Sequence, residues 1–284
     1  MTPETKAKAV LEDYRMVKRE DFDLGDILDG ECLIVEEAEL KNYLGRISFN
    51  SHYGLITIDR NIKEQGQKRF TLAHEVGHYF NEKDTLTRAL PKGEEKALTP
   101  TLSQGARGQI QKESRVYTCT ADDLFSFKVN RRREDDANMF AAELLMHRPW
   151  FSAFTAKREI NFELIKETAE YFNVSLTAAA IRYATIGKYP VAIIFTRDGK
   201  KIWSYFSDYF PYKWIEKGFK VGKESTAHYF FKGKETPAEA NLIPAFAWFS
   251  GDVKCRRDVY FYEQNVVMKN YGSVLTMLWE SEWR

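Results

Sequence analysis

The sequence predicts an α+β chain of two domains joined by a helical connector, and three observations carry that prediction. Short β-branched runs between residues 32 and 59 lead into a proline-free helical stretch at 67–80. Two further helical patterns follow at 134–146 and 162–183. From Tyr189 onward the chain turns to aromatic, strand-like runs, and 284 residues suffice for such a division.

The first strands are read at Cys32–Val35, Gly45–Phe49 and Gly54–Asp59, each β-branched or aromatic and flanked by turn residues. They form a small twisted sheet ahead of the helix at 67–80. In that helix Phe70, Ala73, Gly77 and Phe80 keep the three-and-four spacing of an apolar stripe. Gly77 is out of character, since a helical glycine costs roughly 1 kcal/mol against alanine, and it points to close approach of another backbone.

The same helix carries His74-Glu75-Val76-Gly77-His78. Histidines four apart share a helix face, so both imidazoles can reach one metal ion while Glu75, one step round, addresses a water beside it. His74 and His78 are therefore candidate metal ligands and Glu75 the candidate general base, although a bare motif of this length also arises by chance. A catalytic zinc takes three protein ligands and keeps one open position, so a third ligand is required.

His52, His147 and His228 are isolated, whereas the helix at 134–146 opens on Glu134-Asp135-Asp136. Its buried face is read as Ala137, Phe140, Ala141, Leu144 and Leu145, and Glu134 falls on that side. Glu134 is the expected third ligand and Asp136 the alternative. Carboxylates in a first turn also suit the helix dipole without any metal.

With these residues in place, Lys68–Tyr79 and the later Glu134-x-x-Ala137-Asn138-x-Phe140-Ala141-Ala142-x-Leu144-Leu145-Met146 resemble the ImmA/IrrE family of metallo-endopeptidases. The resemblance implies a zincin-like domain with His74, His78 and Glu134 holding Zn²⁺, Mn²⁺ being the alternative, and Glu75 as catalytic base. It also implies cleavage of a helix-turn-helix repressor as substrate, which would release stress-response or mobile-element genes. The chain departs from the family where Met146-His147-Arg148-Pro149 replaces the usual Met-Pro, and His147 is expected to face solvent. In peptidases of this plan an edge strand can hold an extended substrate by main-chain bonds, a role expected here of Gly54–Ile58. Tyr53, Tyr79 and His147 are candidates for stabilising the oxyanion.

The first domain is thus set at residues 1–150, with 84–133 an insertion longer than the family's usual link and partly a disordered loop. Pro, Gly, Ser, Thr and Lys crowd 89–108, while Ser114–Asn130 alternates weakly. Residues 151–188 read as a helix-turn-helix-like connector, with Ser175 capping its second helix. That helix offers Arg182 as its one charged residue, so packing or partner contact is expected of it rather than DNA binding.

Residues 189–284 are read as a separate α+β domain. Pro190–Phe195 and Lys201–Phe206 form a hairpin about Asp198-Gly199, and Phe246–Phe249, Val259–Tyr262 and Val274–Trp279 are further strand-like runs. The resemblance implies a GAF-like fold here, of a class used to sense small ligands.

Bulk properties narrow the function classes. A net charge of +1, from 42 basic and 41 acidic residues, gives no nucleic-acid footprint. Cys32, Cys119 and Cys255 show neither a disulfide framework nor metal-knuckle spacing. No signal peptide and no 18-residue apolar run is present, so a cytoplasmic protein without membrane contact is expected. The competing class is a non-catalytic regulator that uses a vestigial peptidase fold to bind a partner; intact His74, Glu75 and His78 weigh against it.

Overall fold

The computed structural model describes residues 1–50, 52–87, 115–120, 123 and 132–280. The chain divides into two compact units, Met1–Trp150 and Phe151–Arg284. Both are mixed α and β.

In the first unit, α1 (Pro3–Asp13) starts at Thr2, whose hydroxyl accepts from the Thr5 amide at 3.3 Å, and α2 (Leu24–Gly30) starts at Asp23, whose carboxylate accepts from Gly25 at 2.8 Å. The strands β1 (Leu33–Ala38), β2 (Gly45–Phe49) and β3 (Gly54–Asp59) follow, then α3 (Gln65–Thr87), β4 (Arg115–Cys119) and α4 (Arg132–Leu145). Sheet order is β1-β3-β2-β4, with β1 parallel to β3 and the other pairs antiparallel. Ile47, Phe49, Ile56 and Ile58 of the sheet are buried, as are Ala73, Val76 and Phe80 of α3 and Phe140, Ala141 and Leu144 of α4. α3 packs on both β2 and α4, and the Phe80 and Phe140 rings stack at 5.4 Å.

One reading of this unit changes. Gly54–Ile58 is not an edge: β3 is bonded to β1 on one side and β2 on the other, as its nearly continuous burial requires. Among the described residues the edges are β1 and β4. β4 itself lies within 84–133, so part of that span is sheet, paired from Gly45↔Cys119 to Phe49↔Arg115. The loop reading at 89–108 falls outside the described residues. Neither α1 nor α2 was expected; both are short, and α1 has a weak apolar pattern.

Gly77 does mark a close approach. A Cβ there would lie 2.9 Å from the Ala137 carbonyl oxygen and 3.1 Å from Ala137 Cα, so the bare α-carbon lets α3 and α4 meet backbone to backbone.

In the second unit α5 (Arg148–Thr155), whose first three residues belong to the preceding unit, α6 (Phe162–Phe172) and α7 (Leu176–Ile186) come before the sheet. Asn161 caps α6 through a 2.8 Å bond from Leu164, and Asn173 ends it in the left-handed region at φ 50°. Ser175 caps α7 with a 3.1 Å bond from Ala178. Arg182 is buried, which leaves α7 without an exposed cation.

The hairpin of β5 (Val191–Arg197) and β6 (Lys200–Phe206) turns at Asp198 and Gly199, both at positive φ as a two-residue turn demands. With β7 (Asn241–Pro244), β8 (Tyr260–Met268) and β9 (Ser273–Glu280) it makes an antiparallel sheet of order β6-β5-β9-β8-β7. A short helix α8 (Ala227–Phe231) precedes β7. Phe246–Phe249, expected as strand, is instead the short helix α9; a four-residue apolar run does not distinguish the two by period.

Glu263 of β8 is fully buried and ties this unit together. One oxygen accepts from Ser225 Oγ at 3.2 Å, Thr226 Oγ1 at 2.5 Å, the Ala227 amide at 3.0 Å and Asn265 Nδ2 at 2.9 Å; the other accepts from Trp248 Nε1 at 2.6 Å.

Gly77→Ala should destabilise the protein by about 1–2 kcal/mol, because overpacking of about 1–3 kcal/mol outweighs a gain of at most about 1 kcal/mol in helix propensity. The midpoint of urea unfolding measures this.

Candidate metal centre

α3 and α4 bring three donor atoms to one point. His74 Nε2 lies 3.1 Å from His78 Nε2 and 3.2 Å from Glu134 Oε2, and His78 Nε2 lies 3.4 Å from the same oxygen. His74 and His78 are one turn apart on α3, and Glu134 reaches them from the first turn of α4 across the contact at Gly77. Both histidines are almost wholly buried, whereas Glu134 is half-buried.

The electrostatics suit a cation. Burial lowers the pKa of His78, which favours the neutral ring that a metal needs, although Glu134 opposes the shift. Burial pushes the Glu134 carboxyl up, but the hydrogen bonds and charge that the His74 and His78 rings supply when they are protonated outweigh it and bring it down to about 2. Glu134 is accordingly held as a carboxylate.

Asn138 is the residue that the sequence reading left without a role. It sits one turn after Glu134 on α4, and its Oδ1 lies 2.9 Å from His74 Nδ1 while its Nδ2 donates to the Asp123 carbonyl at 2.7 Å. That second bond fixes the amide's orientation, so the oxygen faces the imidazole and accepts from Nδ1–H. His74 is thereby held in the tautomer whose Nε2 lone pair points at His78 and Glu134. The i, i+4 relation to Glu134 was the available signal.

Glu75 is fully buried, and neither of its carboxylate oxygens has a hydrogen-bond partner among the described residues. Burial first, and the nearby Glu134 charge second, raise its pKa well above the ordinary carboxylate range. A buried carboxylate left without donors needs a cation or a water to complete it, and the three convergent donors beside it supply a place for one. The residues therefore fit a divalent ion. Gly45, at the start of β2, makes room for Glu75: a Cβ there would lie 2.5 Å from Oε1 and 2.8 Å from Thr71 Cγ2.

β4 forms one wall of the centre. Tyr117 stacks on His78 at 4.9 Å with 10° between the planes, and also on Phe49 at 6.0 Å. Arg115 bonds Glu82 of α3 at 2.6 Å, and Arg133 of α4 approaches the same carboxylate at 3.5 Å, so Glu82 links the three elements. Cys119, the last residue of β4, is fully buried, and its sulphur lies within 4.8 Å of a His74 nitrogen and a Glu75 oxygen. Burial, with Glu75 and Glu134 adding to it, pushes the Cys119 thiol far up. A cleft of about 590 Å³ opens beside this wall, lined by Tyr43, Thr118, Thr120, Asp123, Arg132, Arg133 and Glu134.

The other candidates lie apart from this arrangement. Asp136 lines a different cleft with the N-terminal residues and His147. His147 is half-buried rather than solvent-facing, because it bonds Glu143 at 2.7 Å and packs edge-on against Trp150 at 5.1 Å. Tyr79 donates its hydroxyl to Glu31 at 2.8 Å, and the Tyr53 amide is held by Asn50 at 3.1 Å. None of these three faces the donors through any bond.

Two histidines and a carboxylate beside a buried glutamate are a donor set of the kind that metal-dependent hydrolases use. Residues 32–99 and 112–183 match the family model of the IrrE N-terminal-like domain of peptidase family M78, and through this domain the chain belongs to the ImmA/IrrE family of metallopeptidases. The two matched segments hold every residue of the centre. No curated protein matches the chain.

Two substitutions separate the roles. Asn138→Ala should weaken metal binding by about 10–100-fold, as loss of a ligand-orienting partner does, read by competition with a chromophoric chelator. Gly45→Ala should leave metal content at the wild-type level while displacing the Glu75 carboxylate, so peptide hydrolysis falls without loss of the ion.

Proposed function

We propose that the chain is a zinc-dependent endopeptidase that cleaves a helix-turn-helix transcriptional repressor and so releases the genes that repressor silences. The observation that carries the catalytic half is the convergence of His74, His78 and Glu134 beside a buried Glu75 whose oxygens have no hydrogen-bond partner among the described residues. The substrate half rests on the family, whose members cut such repressors. The protein acts in the cytoplasm, without a direct DNA contact of its own; among the described residues no helix is long and apolar enough to cross a membrane. The C-terminal unit, read as GAF-like, senses a small ligand.

His74 Nε2, His78 Nε2 and Glu134 Oε2 would hold the ion. When bound, a zinc ion supplies Lewis acidity toward the scissile carbonyl and lowers the pKa of water at the site. Glu75 accepts a proton from the attacking water and delivers it to the departing amine; burial and the Glu134 charge raise its pKa above the ordinary carboxylate range, which makes it a stronger base for the first transfer. Asn138 keeps the His74 tautomer constant throughout. Burial of Glu75, His74 and His78 keeps bulk solvent from competing for the same proton.

The substrate lies extended against β4. Among the described residues this strand is paired on one side alone, it carries Tyr117 and Cys119 into the wall of the centre, and the cleft runs past its Thr118. Peptides N-methylated at alternate residues around the scissile bond should be cut at least about tenfold more slowly than the parent, since each lost main-chain bond to a strand costs on the order of 1 kcal/mol. Equal rates for the whole N-methyl series would remove strand addition from the reading.

The function itself is tested by metal analysis together with incubation against the helix-turn-helix repressor encoded nearest to the gene. Wild-type protein should carry zinc and cut that repressor. Glu75→Gln should retain the zinc and lose about 10²–10⁴-fold in rate, and His78→Ala should lose both metal and cleavage. Purification with manganese instead of zinc would change the ion assigned. A zinc-loaded protein that leaves neighbouring repressors intact, or a Glu75→Gln variant cutting at the wild-type rate, would falsify it.

A further inference from the structure

The centre contains a second set of donors. His74, Glu75 and Cys119 are all buried, and one ligand atom from each lies within 4.8 Å of the others. The cysteine does not stand alone, because both Glu75 oxygens are buried, have no hydrogen-bond partner among the described residues, and belong to the same group. The thiol's own hydrogen bond is a weak one, to the Thr120 carbonyl at 3.5 Å.

His74 decides how this set relates to the first. Its Nδ1 is engaged by Asn138, so Nε2 is the nitrogen left to ligate, and that atom already serves His78 and Glu134. One nitrogen lone pair binds one ion. The two sets therefore exclude each other at His74, and an ion in the second set takes Glu75 as a ligand.

We propose that His74, Glu75 and Cys119 form an alternative, sulphur-containing metal position, a trap for thiophilic divalent ions such as Cd²⁺ or excess Zn²⁺ that silences the peptidase by coordinating its base. The selectivity follows from the ligands: a thiolate favours soft ions, whereas the His74, His78 and Glu134 set offers only nitrogen and oxygen. On binding, the Cys119 S–H bond breaks, its proton and any proton that the Glu75 carboxyl holds leave to solvent, and sulphur–metal and oxygen–metal bonds form with no change of oxidation state. Tetrahedral bonds of about 2.0–2.3 Å bring donors to about 3.4–3.6 Å from one another, so the three atoms close in by roughly 1 Å. Glu75, with no bond to break, and Cys119, with one weak bond, are the side chains that move.

The inference rests on the metallopeptidase reading for the roles of His74 and Glu75, but its readout is independent of proteolysis. Metal-free protein carrying Cys32→Ser and Cys255→Ser, so that Cys119 is the sole thiol, is titrated with Cd²⁺ while the ultraviolet thiolate-to-cadmium charge-transfer band is followed and bound metal is counted. The band should appear and saturate in proportion to protein, vanish in Cys119→Ser, and need more Cd²⁺ in Glu75→Gln. Glu134→Ala, which cripples the first set but leaves the second complete, should keep the band and serves as a control for folding of the series. Cd²⁺ bound without a thiolate band, or a band that needs no more Cd²⁺ in Glu75→Gln than in its parent, overturns the trap and leaves the peptidase reading standing. A protein that binds no metal overturns both.

Discussion

A methyl group on Gly77 would fall 2.9 Å from the Ala137 carbonyl oxygen, and the absence of that methyl is what allows α3 and α4 to lie against each other backbone to backbone. The candidate metal centre depends on this contact. His74 and His78 are fixed on α3, Glu134 and Asn138 on α4, and the donor atoms meet at 3.1–3.4 Å only because the helix axes come so near. The stacked Phe80 and Phe140, and the buried Ala137 and Ala141, are consistent with the same requirement: small residues where the backbones touch, large ones where the surfaces diverge.

A second layer of constraint comes from the sheet. β2 contributes an open Cα at Gly45 for the Glu75 carboxylate, and β4 contributes the Tyr117 ring that lies on His78. The helices set the positions of the three donor groups, and the sheet sets the space left for the Glu75 carboxylate. Glu82, bonded to Arg115 and approached by Arg133, joins the two sets of elements at the far end of α3.

Much of this was legible from residues alone. The three strands before the metal helix, the acidic helix, the Ser175 cap and the Asp198-Gly199 turn follow from local periodicity and turn chemistry, and the structure places them within a few residues of where those signals put them. Glu134 was legible because a helix face can be computed from spacing. Asn138 was not, because its role comes from two bonds in three dimensions, one to an imidazole and one to the Asp123 carbonyl. β3 was mistaken for an edge because strand order is a long-range property: the apolar run at Gly54–Ile58 cannot by itself reveal that β3 returns beside β1 in parallel. Phe246–Phe249 failed for the opposite reason, since four apolar residues in a row fit a buried strand and a buried turn of helix equally, and the bond from Trp248 to Glu263 that anchors it is remote in sequence.

The two glycines bear on engineering. Replacing glycine by alanine inside a helix is a standard route to a hardier protein, because it restricts the unfolded chain. Applied to α3, that recipe would drive apart the helices that carry the donors, and applied to Gly45 it would push on the carboxylate they surround. Thermostabilised versions of this protein must therefore be sought away from both positions, and a sequence-based optimiser that scores helix propensity alone would select against the enzyme while appearing to improve the fold.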